Sequence, residues 1–158
     1  MSKKPTKKAT VPAALDLGGG LAWSQVTMAD GAEFWSVVGP LSSCRAVIKE
    51  MGGCPIYANE RQAWICGRDG GGKVVAAASV APSEKADGSF WLDYGYVAPA
   101  HRGHGIWRAM LAHRLALAAA AGGKSARCAT ATLSRPLEAA GFRITSQRGS
   151  WSYMEKSL

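Results

Sequence analysis

Apolar runs along the chain are short and separated by glycine-rich punctuation. Residues 1–20 end in Gly18-Gly19-Gly20 and read as a flexible basic arm and linker, ahead of a single domain over 21–158. Residues 21–28, with Trp23 and Val26, fit a first strand. Asp30-Gly31 then marks a turn, and a short helix over 32–38 is expected to end at Gly39-Pro40. Ser42 or Ser43 can cap a second helix that turns Ala46, Val47 and Met51 inward and stops at Gly52-Gly53. Residues 62–67 and 73–80 are apolar strands joined through Asp69-Gly70-Gly71-Gly72, which predicts an antiparallel hairpin. Residues 89–97 are aromatic and branched, as suits a partly buried strand. Trp107, Leu111 and Leu115 then recur at helical spacing, and the alanines of 116–121 sustain the helix until Gly122-Gly123. Residues 126–132 predict a strand at which the sheet turns parallel. Ser134 is placed to cap a short helix with Pro136 in its first turn and Gly141 at its close. Residues 142–145 and 151–155 complete the sheet as a hairpin across 147–150.

Composition narrows the class. At 158 residues and 47% hydrophobic, the chain fits one domain with a real core. It has no apolar run of transmembrane length, and the Lys-rich start lacks the apolar core of a signal peptide, so a cytoplasmic protein with no membrane partner is expected. Cys44, Cys54, Cys66 and Cys128 lack Cys-x-x-Cys spacing, which favours small, buried, reduced side chains over disulfides or a metal. The net charge is +8, but Lys3, Lys4, Lys7 and Lys8 supply half of it from the arm. That arm reads equally as a solubilising tail or as one that holds the protein near nucleic acid or an acidic partner.

Candidate chemistry concentrates in residues 97–107, Val-Ala-Pro-Ala-His-Arg-Gly-His-Gly-Ile-Trp, which join the aromatic strand to the alanine-rich helix. Gly103 and Gly105 let the backbone approach a ligand, the first amides of the helix have no internal partners, and Arg102 adds a fixed positive charge. Such a turn suits a phosphate or pyrophosphate. Position by position, Val97-x-Pro99-x-x-Arg102-Gly103-x-Gly105-Ile106 resembles the acyl-CoA loop of the GNAT acyltransferase superfamily, Arg/Gln-x-x-Gly-x-Gly/Ala after a strand ending in Val-x-Pro. The order of elements from about residue 21 onward resembles that family too. The resemblance implies an α+β fold, with a mixed, mostly antiparallel sheet of six or seven strands flanked by helices and a splayed strand pair at the cofactor.

It also implies that Arg102, Gly103, His104, Gly105, Ile106 and Trp107 hold the CoA pyrophosphate, that Gly95, Tyr96 and Val97 receive the pantetheine arm, and that Ser134 touches the cofactor. Trp107 stands where the motif has Gly or Ala, so either the helix sits off the sheet or the indole packs where small residues usually do.

The implied function is N-acyl transfer from acetyl-CoA, or another acyl-CoA, to an amine of a small molecule or protein. Asp93 is the candidate base, with a structural strand-end role as its alternative. Leu137 replaces the tyrosine that many relatives use as acid, leaving Tyr94, Tyr96 and Tyr153 as substitutes. His101 and His104 lack a third ligand nearby, so no metal is expected. Trp64, Trp91 and Trp151 are either core or the wall of an aromatic acceptor pocket. Two other readings stand beside this one: a phage-type nucleobase-modifying enzyme, and a non-catalytic module of the same fold that binds nucleic acid or a protein. The last strands often support dimers in relatives, so a homodimer is a further expectation.

Overall fold

The computed structural model describes residues 14–158. The Lys-rich arm falls outside the described residues. Eight strands form one sheet: β1 (Ala22–Val26), β2 (Ala63–Arg68), β3 (Val74–Pro82), β4 (Ser89–Trp91), β5 (Tyr96–Val97), β6 (Ser125–Thr130), β7 (Arg143–Arg148) and β8 (Trp151–Ser157). Their spatial order is β1-β2-β3-β4-β6-β8-β7, with β5 also on β3. All pairings are antiparallel except β4 with β6. The expected mixed, mostly antiparallel sheet is therefore present, and the parallel step falls at the predicted strand.

Helices cover both faces. On one lie α1 (Ala32–Ser42) and α2 (Arg45–Glu50), with Phe34, Val37, Val38, Leu41 and Val47 packed on Trp64, Cys66 and Ala77 of the sheet. On the other lie α3 (Ile106–Ala120) and α4 (Ser134–Ala139). Ile106 and Met110 of α3 meet Ile65, Ala76 and Ala78, while Leu111, Ala118 and Leu137 meet Ala126, Cys128 and Met154. Alternation along β2 and β3 accounts for this division: Cys66 opposes Ala77 and Ile65 opposes Ala78, each pair serving one face. Three fully buried alanines in β3, Ala76 to Ala78, keep its surface flat enough for helices on both sides.

Four local expectations are corrected. α1 runs through Gly39 and Pro40 to Ser42, because Pro40 withdraws a single helix amide while burial of Val37, Val38 and Leu41 continues across it. Ser42 and Ser43 do not cap α2. Their hydroxyls donate to the Gly39 carbonyl, both at 3.0 Å, closing α1, and Cys44 is the residue ahead of α2. Ser134 is the first residue of α4 rather than its cap, and Leu133 stands ahead of it without a side-chain cap bond; the Thr130 hydroxyl instead orders the preceding turn by accepting from the Thr132 and Leu133 amides at 3.2 and 2.9 Å. Finally, the fold begins before residue 21: Leu15 and Leu17 pack on the cluster around Ile65 and Ile106, and the Trp23 indole donates to the Gly18 carbonyl at 2.8 Å.

Asp69 and Lys73 close the predicted hairpin, with the Asp69 amide donating to the Lys73 carbonyl at 3.0 Å. Of the cysteines, Cys66 and Cys128 are buried, but Cys44 and Cys54 are exposed and all four are free thiols. The expectation of four buried thiols thus holds for two, because Cys44 and Cys54 sit in the turns flanking α2 and away from the sheet.

Candidate active site

One extra residue opens the sheet. Ala81 faces Trp91 and Ala77 faces Tyr96, so five steps along the aromatic segment oppose four on β3. The surplus forms a β-bulge over residues 92–95, which splits the strand expected at 89–97 into β4 and β5. Tyr94 takes the strain, with a φ of +56° that a non-glycine residue rarely adopts. Its ring is held by a stack on Trp64, centroids 5.5 Å apart and planes within 6°, and its hydroxyl accepts from the Tyr57 amide at 3.0 Å. The Asp93 carbonyl accepts from the Ser79 amide at 2.9 Å and from its hydroxyl at 3.1 Å. Beyond the Leu92 amide, which donates to the Arg127 carbonyl at 2.8 Å, the aromatic segment and β6 part.

The gap is a cavity of about 350 Å³. Met51 and Tyr94 reach it from the α1–α2 face, and Leu111 and Leu137 from the α3–α4 face, so it passes through the sheet. A neighbouring cavity of about 340 Å³ shares Glu50, Met51, Gly95, Trp107, Thr132 and Leu133 with it and adds Tyr96, Val97 and Arg102. Together they make one channel, from the loop before α3 to the interior of the gap.

At the loop end, Gly103 and Gly105 have φ of +79° and +77°, and a β-carbon added at either would meet nothing within 4 Å. Gly105 is the residue ahead of α3, and its carbonyl accepts from the Ala109 amide at 3.0 Å, which leaves the amides of the first helical turn without intrahelical partners. Open space, unpaired amides and the positive end of a fifteen-residue helix make an anion seat. Arg102 is already engaged. Its Nε donates to the Val97 carbonyl at 2.9 Å, and its Nη2 forms an ion pair with Glu50 at the end of α2. The segment after Glu50 continues across the channel mouth to β8, where Gly52 lies so close to the Trp151 ring that a β-carbon would overlap it at 2.5 Å.

Inside the gap, Asp93 lines the wall together with Leu92, Tyr94 and Gly95, because the bulge cancels the alternation that would have set Asp93 on one face with Trp91 and Gly95. Burial raises the pKa of the Asp93 carboxyl, and the positive charge of Arg114 opposes that rise. Arg114, on α3, is 3% exposed and donates to the carbonyls of Ser79 and Asp93 at 3.2 and 3.4 Å. Cys128 shares the wall, but burial pushes its thiol up to about 11, which keeps it protonated.

Of the residues expected to form the site, Asp93, Gly95, Tyr96, Val97, Arg102 and Trp107 line the channel. Gly103, His104 and Gly105 are exposed and line neither cavity, but they lie between Arg102 and Trp107, which do. The Ile106 side chain turns into the core beneath the rim, where it is 3% exposed, so only its backbone faces the loop. Ser134 lines neither cavity, although Leu133 before it and Leu137 beyond it both line the gap. Trp107 keeps α3 on the sheet and places its indole in the gap, lining both cavities. Among the aromatic candidates Trp151 and Tyr153 reach the gap. Trp64 is fully buried and Trp91 lines neither cavity. Burial raises the pKa of Tyr94 and Tyr96. Among the described residues no group of three metal ligands occurs.

Sequence reading missed Arg114, Glu50 and the Thr130–Leu133 limb of the gap. For Arg114 a signal existed: 107, 111, 114 and 118 form one helical stripe, buried at 111, 114 and 118, and an arginine inside such a stripe is anomalous.

The model of the family described as "Acetyltransferase (GNAT) family" matches residues 40–138, which span α2, the hairpin, the bulge, the loop, α3 and most of α4. The chain belongs to the GNAT acetyltransferase family. No curated protein matches it. Solved structures share the GNAT fold. An acyl-CoA N-acyltransferase from Pseudomonas aeruginosa superposes with a TM-score of 0.70 at 15% identity, over 86% of this chain and 99% of that one. Escherichia coli ElaA gives 0.69 at 14%, over 86% and 99%. The GNAT domain of S. lividans PAT gives 0.64 at 15%, over 87% and 90%. At these identities the likeness speaks for the fold alone.

The raised pKa of Asp93 makes a stability prediction. A carboxyl whose folded pKa lies above its unfolded value favours folding while protonated, and that contribution is lost as pH rises through the folded pKa. Asp93→Asn should therefore raise the melting temperature at pH 7 and leave it unchanged or lower at pH 3. A drop at pH 7 would show that Arg114 stabilises the carboxylate by more than burial penalises it.

Proposed function

We propose that the protein transfers an acyl group, most simply acetyl, from an acyl-CoA to an amine. The single observation that carries this reading is the pair of adjoining cavities that run from Arg102 and Trp107, on either side of the anion seat, to the gap that holds Asp93. The residues fit the ligand. Amides around Gly103, Gly105 and the first turn of α3 are free for a pyrophosphate, and Gly95, Tyr96, Val97 and Trp107 wall the route an extended arm would take. Acyl-CoA supplies an activated thioester carbonyl when bound. The protein's contribution is then to hold reactants in place, exclude water from the gap and take up the proton of the attacking amine.

Asp93 suits that last task. Of the two carboxylates that line the channel, Asp93 is the one on the bulge inside the gap, and its burial-raised pKa makes it a better base than an exposed carboxylate. The α1–α2 side, with Met51, Cys54 and Trp151, forms the acceptor wall. Its mixed apolar and aromatic lining suits a small amine with an apolar body.

Thiol release from acetyl-CoA across a panel of primary amines tests the activity. Turnover with at least one amine is expected, and Asp93→Asn should lower kcat by about 100-fold. No turnover with any amine, small-molecule or peptide, would contradict the reading.

The Glu50–Arg102 pair adds a binding prediction. Both side chains are partly exposed, so the pair is worth about 1 kcal/mol or less, and a pyrophosphate can displace it cheaply. Glu50→Gln should tighten CoA binding by up to about fivefold in calorimetry. Weaker binding in this variant would mean that Glu50 holds Arg102 in its binding position.

A further inference from the structure

Arg114 carries its positive charge in the wall of the gap with no anion in contact, the Asp93 carboxylate acting on it only from beyond ion-pair distance. Among the described residues no carboxylate oxygen lies within the 4.0 Å ion-pair distance of it. Its Nη1 serves the two carbonyls of the bulge, its Nε is enclosed with no partner, and its Nη2 lies against Gly95, 3.4 Å from where a β-carbon there would stand. The surrounding wall is apolar, built from Leu92, Trp107, Leu111 and Leu137. A buried charge left unpaired is costly, and two carbonyl acceptors alone could be served by the neutral amide of a glutamine. Burial lowers the guanidinium to about 10, so it remains charged at neutral pH.

Position along α3 indicates which anion it meets. Arg114 is eight residues beyond Ile106, about 12 Å up the helix axis from the anion seat. A pantetheine arm is long enough to carry its sulfur that far from its phosphate end.

We propose that Arg114 is the group that receives the negative charge released on sulfur during acyl transfer, an inference that rests on the acyl-CoA reading of the channel. The amine lone pair forms the N–C bond, the C–S bond breaks with its electron pair remaining on sulfur, and the ammonium proton passes to Asp93 or to water. The guanidinium stabilises the departing thiolate, so no acid is required in the gap. Other titratable groups facing the channel are Asp93 and Tyr94 on the bulge, Cys128 on β6, Tyr153 on β8, Glu50 and Cys54 at α2 and the turn beyond it, and, in the second cavity rather than the gap, Tyr96 and Arg102. The anionic members of this set oppose a thiolate, which leaves Arg114 as the favourable charge within the gap.

The test titrates the thiol of bound CoA by its ultraviolet thiolate absorbance, with the desulfo-CoA complex as the blank that removes the protein's own cysteines and tyrosines. In the wild type the bound thiol should ionise at least one pH unit below free CoA, about a tenfold larger thiolate fraction near neutrality. Arg114→Gln, which keeps donors for the two carbonyls, should return the thiol to its free value or above it, and Arg114→Lys should keep part of the shift. An unshifted thiol in the wild type overturns the proposal, even if Arg114→Gln fails to fold. So does the same shift in a folded, CoA-binding Arg114→Gln. Failure of the wild type to bind CoA at all would instead remove the acyl-CoA reading beneath it.

Discussion

The site depends on one surplus residue in the sheet. Between Trp91 and Tyr96 the chain takes one step more than β3 can match, and the parallel pairing of β4 with β6 stops there. Without that bulge the two strands would continue side by side and the gap would be filled by backbone. The strain at Tyr94 is offset from both faces. Trp64 and Tyr57 hold the tyrosine on the α1–α2 side, while Arg114 and Ser79 grip the carbonyl of Asp93. Asp93, Tyr94 and Arg114 thus both hold the gap open and line it, so a change that relaxes the bulge is expected to alter chemistry and stability together.

Electrostatics run along the channel in a fixed order. Free amides and the positive end of α3 lie at the rim, the Glu50–Arg102 pair lies beside them, and Asp93 and Arg114 lie in the interior. The two ends differ in dielectric. At the rim a charge pair is partly solvated and can exchange partners at little cost, whereas inside the gap each charge is strongly felt. This arrangement suits a ligand with a highly charged end held at the rim and a reacting end that develops charge only in the interior.

Much of this was legible in the sequence. The glycine-spaced loop, the helix after it, the Asp69–Gly72 hairpin and the parallel step all follow from local signals, because turn chemistry and helical periodicity act over a few residues. The bulge was not legible, since it is a count between two strands rather than a property of either; alternation alone put Asp93 on one face with Trp91 and Gly95. Pro40 misled for the same kind of reason, since burial across α1 overrides a local breaker. Ser134 fell inside α4 rather than ahead of it because a helix start depends on backbone angles that residue type only biases. Arg114 was the readable miss: a charge in the buried stripe of α3 departs from the helix's own pattern, and such departures mark functional sites more often than errors of packing.

The central claim is that the loop and the gap form one acyl-CoA channel, and calorimetric titration of acetyl-CoA into the wild-type protein and into Gly103→Pro tests it most directly. Gly103 needs a φ of +79°, which proline cannot adopt, so the substitution deforms the anion seat while leaving the gap intact. Saturable binding in the micromolar range, lost in the variant, is the predicted result. No binding by the wild type up to millimolar concentration, or equal binding by both proteins, would contradict the account.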